Sequence, residues 1–171
     1  GLYQMNKKNS LDIFIDSKKI PNNKVSLISY ITQDPIVFND TIKNNITLYS
    51  SINKKDLSEM LKIACVENFI KSLPKGINTI LGENGIKLSR GNLQKIAIAR
   101  GLVHLKASVY KILILDEATS AVDYLSEKRI FSALKNSKLY DLIIYTSHNV
   151  TNQKYADKKF ILKDNQIVKI K

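Results

Sequence analysis

The length and composition of the chain are those of one folded domain. It has 171 residues, 44% hydrophobic and 25% charged, which excludes a disordered chain. Its net charge of +12 comes from basic residues scattered between Lys7 and Lys171, so we interpret it as a solvated surface and expect no nucleic-acid partner. No apolar run approaches the roughly 18 residues that span a bilayer, no leader precedes these runs, and the single cysteine, Cys65, suits a reducing compartment. We therefore expect a cytosolic domain.

The first half of the chain carries two predicted strands and a predicted helix. Leu11–Asp16 and Val25–Ile31 are apolar or β-branched runs between polar stretches, which is the pattern of strands. Residues 53–56 resemble a helix start. The apolar face that follows at helical spacing comprises Leu57, Met60, Leu61, Ala64 and Cys65. The stretch from about residue 34 to residue 87 has helical patterns without apolar strands and therefore predicts a helical insertion.

The second half alternates helices with apolar strands. The helix from Ser89 to about Leu105 is apolar nearly all round in its middle, so it is predicted to be buried. The strand Ile112–Leu115 and a helix over about Leu125–Lys135 follow. Three further strands are predicted at Leu142–Thr146, Lys159–Lys163 and Ile167–Ile170, the last two as a hairpin around Asp164-Asn165. Apolar strands that alternate with helices predict an α/β fold with a parallel sheet covered on both faces.

Two carboxylates, Asp116 and Glu117, follow the strand Ile112–Leu115 directly. Folds of the α/β class place their sites at the carboxyl ends of such strands. An Asp at this position can hold Mg²⁺, and a neighbouring Glu can orient or deprotonate a water molecule. On these two residues alone, a strand that ends in a solvated acidic turn is the favoured interpretation.

Four segments resemble, in order along the chain, the motifs of ATP-binding cassette (ABC) ATPases. Ile112–Asp123 (ILILDEATSAVD) resembles the Walker B strand, catalytic glutamate and D-loop of that family. Ile31–Pro35, with Phe38–Ile46 after it, resembles the Q-loop region, Leu88–Arg100 resembles the signature motif with its helix, and Thr146–His148 resembles the switch histidine. The resemblance implies a single, partial domain over residues 1–171. Its P-loop NTPase-like core would comprise residues 1–33 and 107–171, and a helical subdomain would be inserted at about 34–106.

The resemblance also implies a role for each motif residue. Glu117 and His148 are expected to be catalytic, the glutamate acting on the attacking water and the histidine holding that water in line with the γ-phosphate of ATP. Gln33 and Asp116 are expected to bind Mg²⁺. The residues expected to contact the nucleotide are Gln33, Ser89, Gly91, Asn92, Asp116 and Asp123. Asp123 and the three signature residues among them would act across the interface with a second nucleotide-binding domain, in a homodimer or pseudo-dimer. Ser89 can also cap its helix, because the same geometry serves both roles.

The function implied is ATP hydrolysis that drives an exporter, with this domain attached to transmembrane domains at the cytoplasmic face of the cell membrane. The exporter subtype rests on Phe38–Ile46 and on Asn78–Leu88, which resembles the segment before the signature in exporters with fused domains. Two alternatives stay open. One is an ABC ATPase that acts on DNA or ribosomes, which the basic charge favours and the absence of coiled-coil heptads disfavours. The other is a remnant that binds without catalysis.

Three features depart from the family pattern. The family's G-x-x-x-x-G-K-[ST] phosphate loop is not found among the 171 residues, and Gly1–Tyr3 resembles the end of the helix that follows that loop. We therefore expect a domain cut before or within that helix and inactive alone. In the signature, Arg90 and Asn92 stand where the family favours Gly and Gln, which predicts a weakened site. The spacing between the signature and the Walker B strand is longer than usual, and we expect the extra residues in a surface turn at Val103–Tyr110.

Overall fold

A computed structural model describes residues 13–15, 18–20, 28–82, 85–108, 111–163 and 166–170. The resemblance at Gly1–Tyr3 and the predicted turn at Asp164-Asn165 lie outside these residues. In the described ranges, no helix is both long enough and apolar enough to cross a membrane.

The strands fall into three groups along the described chain. The first group is an antiparallel pair of β1 (Ile13–Ile15) and β2 (Lys18–Ile20). The second is a parallel sheet with the order β3 (Ile28–Ile31), β4 (Ile112–Asp116) and β5 (Leu142–Thr146). The third is an antiparallel pair of β6 (Phe160–Lys163) and β7 (Gln166–Lys169). The parallel sheet confirms the predicted fold class, and the last pair confirms the predicted hairpin strands. Strand β2 was not predicted, because two of its three residues are lysines and no apolar alternation marks it.

The parallel sheet brings the functional segments to one edge. In its register Ile31 lies opposite Leu115, and Asp116 lies opposite Thr146. Since the strands are parallel, the carboxyl ends of all three meet at the same edge, where α/β folds build their sites. The segments that follow these strands carry Gln33, Glu117 and His148, respectively.

Helices occupy the stretch between β3 and β4. Helix α1 (Ile42–Thr47) precedes α2 (Lys54–Ile63), which begins after Asn53 as predicted, because the Asn53 side chain accepts a hydrogen bond from the N–H of Asp56. Helix α3 (Glu67–Ser72) and a 3-10 turn at Gly76–Asn78 follow. Between residues 32 and 88, the described residues form isolated bridges and no strand, which agrees with the helical character predicted there. The division of the chain into a core and a helical subdomain at about 34–106 stays a prediction.

Helix α4 (Arg90–Ala107) is buried along most of its length, as predicted. Ile96, Ile98 and Leu102 expose no surface, and the helix packs against β3, α1 and α2. The predicted surface turn at Val103–Tyr110 is wrong in its first part. Helix α4 continues to Ala107, and Val103 is buried because the apolar pattern of the helix extends through its last turns.

Helix α5 (Tyr124–Asn136) follows β4 with its predicted face inward: Ile130, Phe131 and Leu134 are all buried. The Asp123 side chain caps its first turn. A 3-10 segment at Val150–Tyr155 follows β5, and its Tyr155 ring stacks on Phe131 with centroids 5.8 Å apart. These contacts hold the segment after β5 against α5.

Candidate functional site

Asp116 ends strand β4 with both carboxylate oxygens engaged by hydroxyl groups. Its Oδ1 accepts a hydrogen bond from Thr146 Oγ1 at 3.0 Å, and its Oδ2 accepts one from the Tyr30 hydroxyl at 2.8 Å. The hydrogen bond to Asp116 raises the pKa of Tyr30, because a phenolate would face the carboxylate. Both partners are neutral, so they orient the carboxylate without neutralising its charge.

Glu117 has a backbone conformation that L-residues seldom adopt, with φ at 48°. Its N–H donates to Thr146 Oγ1 at 2.9 Å, so one threonine holds both Asp116 and Glu117. The Glu117 carboxylate then lies 2.8 Å from Nε2 of His148, measured from Oε1. The glutamate side chain is 28% exposed and that of His148 is 88% exposed, so the pair is open to a bound ligand or water. A carboxylate and an imidazole in this arrangement can hold a water molecule in place and accept a proton from it.

A cleft of about 300 Å³ lies beside this pair. Glu117, His148, Thr119, Ser120 and Glu127 are among the residues that line it. The predicted catalytic residues therefore share one concave surface with the segment that resembles the D-loop.

Gln33 lies two residues beyond β3 and is exposed. Its main-chain oxygen accepts a hydrogen bond from Nε2 of Gln94, a side chain of α4 that is only 2% exposed. Gln94 also donates to Ser120 Oγ at 3.1 Å and accepts from the N–H of Ala121 at 2.9 Å. One buried amide thus joins the segments that resemble the Q-loop, the signature helix and the D-loop.

The predicted signature contacts lie at the start of α4. Ser89 Oγ accepts a hydrogen bond from the N–H of Asn92 at 3.2 Å, so Ser89 is an N-cap, the structural role that its position also allowed. Gly91 meets a close backbone approach: a Cβ there would lie 2.6 Å from the carbonyl oxygen of Ala121. Arg90, in the position where the family favours glycine, forms an exposed ion pair with Asp34 at 2.5 Å.

Asp123 is both a helix cap and an ion-pair partner. Its Oδ2 lies 2.9 Å from Lys95 Nζ, and its Oδ1 accepts from the N–H of Ser126 at 2.9 Å. The ammonium group of Lys95, followed by the hydrogen bonds from Ser126, holds the pKa of Asp123 far below its usual range. Lys95 belongs to α4, so this pair also fastens the start of α5 to the signature helix.

The structure therefore brings Asp116, Glu117 and His148 into one hydrogen-bonded group. It places Ser89, Gly91 and Asn92 at the start of α4, and in the described residues no direct hydrogen bond or ion pair joins them to that group. Four further residues of the site were not predicted from the sequence: Tyr30, Gln94, Thr146 and Glu127. Thr146 could have been found from its place at the end of a predicted parallel strand, whereas the other three depend on contacts between distant residues.

Comparisons with known proteins support the assignment from the motifs. The family model for ABC transporters matches residues 2–120. The chain is similar to the ABC-type transporter kk1G of Curvularia clavata, with 40% identity over 153 residues that cover 84% of this chain and 11% of that protein. It is also similar to the ATP-dependent lipid A-core flippase of Photobacterium profundum, with 34% identity over 163 residues that cover 92% of this chain and 27% of that protein.

A solved structure with the same fold is that of a bacterial Atm1-family ABC exporter with ATP bound. It aligns with a TM-score of 0.79 and 31% identity, covering 92% of this chain and 28% of that one. The chain thus spans about a quarter or less of the length of the curated relatives described above. It belongs to the ABC transporter family. Its fold and motifs are those of the ATP-binding domain of the exporter-type members, as the motifs predicted.

Proposed function

We propose that this chain, within the full-length protein that carries it, hydrolyses ATP to ADP and phosphate and that this reaction drives export across a membrane. The observation that carries the proposal is the 2.8 Å approach of His148 to Glu117 beside Asp116, at the carboxyl edge of the parallel sheet. In this role the Glu117 carboxylate orients the attacking water and accepts its proton. The imidazole of His148 holds that water and contacts the γ-phosphate.

The donor set at this edge fits Mg²⁺. Asp116 supplies carboxylate oxygens that are bound only by neutral hydroxyl groups. Gln33 supplies an exposed side-chain amide on the segment that follows the neighbouring strand, β3. The described residues contain no cluster of three or more acidic, histidine or cysteine side chains that could hold a metal by themselves. Mg²⁺ usually binds one or two protein carboxylates and completes its shell with water and substrate phosphates. When bound, Mg²⁺ neutralises charge on the transferred phosphate.

The remaining predicted residues point to a second nucleotide-binding domain as partner. Ser89, Gly91 and Asn92 lie at the start of α4, where main-chain N–H groups and the helix dipole attract anions. We propose that they contact the γ-phosphate of ATP bound by that second domain, and that Asp123 faces the same interface. Transmembrane domains of the exporter are the other partners, which places this chain at the cytoplasmic face of the membrane.

The 171 residues contain no G-x-x-x-x-G-K-[ST] loop to hold the β- and γ-phosphates. Several charge-assisted hydrogen bonds, each contributing about 1.5–3 kcal/mol, come from such a loop in this fold. We therefore propose that these 171 residues, expressed alone, do not turn over ATP.

One experiment tests both the proposed hydrolysis and the proposed inactivity of the isolated chain. Phosphate release from Mg-ATP is measured for the full-length protein that carries this chain, for its Glu117→Gln variant and for the isolated 171 residues. Glu117→Gln should lower kcat on the order of 10²–10⁴-fold while ATP still binds, because it removes a general base and little else. The exposed Glu59→Gln variant is the matched control and should keep the wild-type rate. Wild-type turnover by Glu117→Gln would remove Glu117 from the mechanism, and turnover by the isolated chain would contradict its proposed inactivity.

A further inference from the structure

Glu127, on the first turn of α5, is a buried carboxylate outside the group of residues that the family resemblance assigns. It is 7% exposed. Its Oε1 accepts hydrogen bonds from Thr119 Oγ1 at 2.7 Å and from Asn152 Nδ2 at 2.9 Å, and its Oε2 accepts one from Asn149 Nδ2 at 2.7 Å. All three donors are neutral. A buried charge is costly unless its hydrogen bonds are complete, so this carboxylate holds its three partners firmly.

The hydrogen bonds around Glu127 include the residues directly before and after His148 in the sequence. Asn149, the residue after His148, donates to Glu127 directly. Ser147, the residue before it, accepts from the same Asn152 amide that donates to Glu127, at 3.0 Å. The imidazole of His148 is 88% exposed and is hydrogen-bonded to Glu117, so the main chain that carries it is positioned through these two neighbours.

The third partner of Glu127 belongs to the segment that carries Glu117. Thr119 lies two residues after Glu117, in the turn that follows β4. Its hydroxyl donates to Oε1 of Glu127, the oxygen that also accepts from Asn152. The segments that carry Glu117 and His148 are therefore both hydrogen-bonded to the Glu127 carboxylate. Where these segments begin, Thr146 also links them, because its Oγ1 accepts from the N–H of Glu117.

We infer that Glu127 is a positioning residue that sets the approach of His148 to Glu117. The inference rests on the proposed function, because it assigns Glu127 a role in the same hydrolysis. Its carboxylate is required for a geometric reason: three donors converge on its two oxygens. A glutamine has one acceptor oxygen, so in either orientation its NH₂ group faces at least one of the Asn149 and Asn152 amides.

The test is a double-mutant cycle on ATP hydrolysis by the full-length protein that carries this chain. Glu127→Gln is made in the wild-type protein and in a His148→Ala background, with the exposed Glu59→Gln as control. In the wild-type background we expect kcat to fall about tenfold with KM for ATP within about twofold, since a small displacement of a catalytic group costs up to about 10²-fold in rate. In the His148→Ala background we expect the effect to shrink to about twofold or less, because the group being positioned is absent.

A merely structural role would lower kcat by the same factor in both backgrounds, and that result would overturn the inference, as would an unchanged kcat in Glu127→Gln. Should Glu127→Gln reduce the folded fraction, Asn149→Ser replaces it. Serine still caps the 3-10 segment at Val150 but is too short to reach Glu127, so the same pattern is expected with a smaller loss. A wild-type protein without Glu117-dependent hydrolysis would instead refute the proposed function, and the inference with it.

Discussion

Replacing Gln94 by methionine tests how the signature helix holds the two neighbouring loops. Methionine fills a similar volume at this 2% exposed position but makes none of the three hydrogen bonds to Gln33, Ser120 and Ala121. Each bond contributes about 1 kcal/mol, and complete loss of all three would cost about 3 kcal/mol. Both loops are exposed, however, so water can replace part of the lost bonding. We therefore expect the docking of these loops to weaken by about 1–3 kcal/mol.

Hydrogen exchange of the Ala121 amide measures this effect directly, since that N–H donates to Gln94 Oε1. At about 1.4 kcal/mol per tenfold, the expected weakening corresponds to exchange that is roughly 5- to 150-fold faster in Gln94→Met. Gln94→Glu separates the two loops: it keeps an acceptor for Ala121 but opposes the Gln33 carbonyl with a carboxylate. Exchange at Ala121 should then stay near wild type while the loop after β3 exchanges faster.

The control for this pair is Gln153→Met, at an exposed position in the 3-10 segment after β5. It should leave exchange at Ala121 unchanged. Equal protection of Ala121 in wild type and Gln94→Met would refute the reasoning, because it would mean that Gln94 does not hold the loop. A Gln94→Glu variant as loose at Ala121 as Gln94→Met would show that the acceptor oxygen is not the group that matters.

Two further predictions concern the start of α4. Replacing Arg90 by Gly together with Asn92 by Gln should raise ATP turnover several-fold, because it removes bulk from the helix end that would approach phosphate. The Arg90–Asp34 pair it breaks is exposed and contributes only about 0–1 kcal/mol to folding. An unchanged or lower phosphate-release rate would mean that the deviation is compensated elsewhere. Lys95→Met should raise the pKa of Asp123, read from its carboxyl resonance during titration. Because the folded pKa is depressed, Asp123 stabilises the fold above its ordinary pKa of about 3.9 and loses that contribution as pH falls. The variant should therefore show a weaker pH dependence of stability below that value, and an unshifted resonance would contradict the assigned cause.

The sequence predicted the sheet edge well because its signals are local. Ile112–Asp116 is an apolar run ended by a carboxylate, and the strands Ile28–Ile31 and Leu142–Thr146 are likewise short and rich in isoleucine. Parallel pairing then follows from the intervening helices. Helices α1 and α3 were not predicted individually. Each has six residues, fewer than two helical turns, which is too short for apolar residues to recur at helical spacing.

The contacts that organise the site were not predictable in the same way. Tyr30 and Asp116 are 86 residues apart, and Gln94 lies 61 residues from Gln33, so neither pair leaves a local pattern. Glu127 is hidden for a different reason. An acidic residue in the first turn of a helix is common, because it complements the helix dipole, and the sequence does not reveal that this one is buried.

The predicted site residues differ in how strongly they support a function. Ser89 caps α4, Gly91 meets a backbone approach from Ala121, and Asp123 caps α5 and pairs with Lys95, so the fold itself requires residues of these types. Their presence is explained without ATP, and replacing them would disturb structure and function together. Glu117 and His148 are different.

Glu117 holds a left-handed backbone conformation, which costs about 1–3 kcal/mol for a residue other than glycine. His148 extends almost wholly into solvent and its hydrogen bond is to Glu117. An exposed pair of this kind contributes little to folding, so packing explains neither the strained glutamate nor the exposed histidine that meets it. The proposed hydrolysis accounts for both, because Glu117 and His148 line the cleft and do not pack in the core. Glu117 and His148 therefore support the proposed hydrolysis more strongly than the larger set of residues that the family motifs assign.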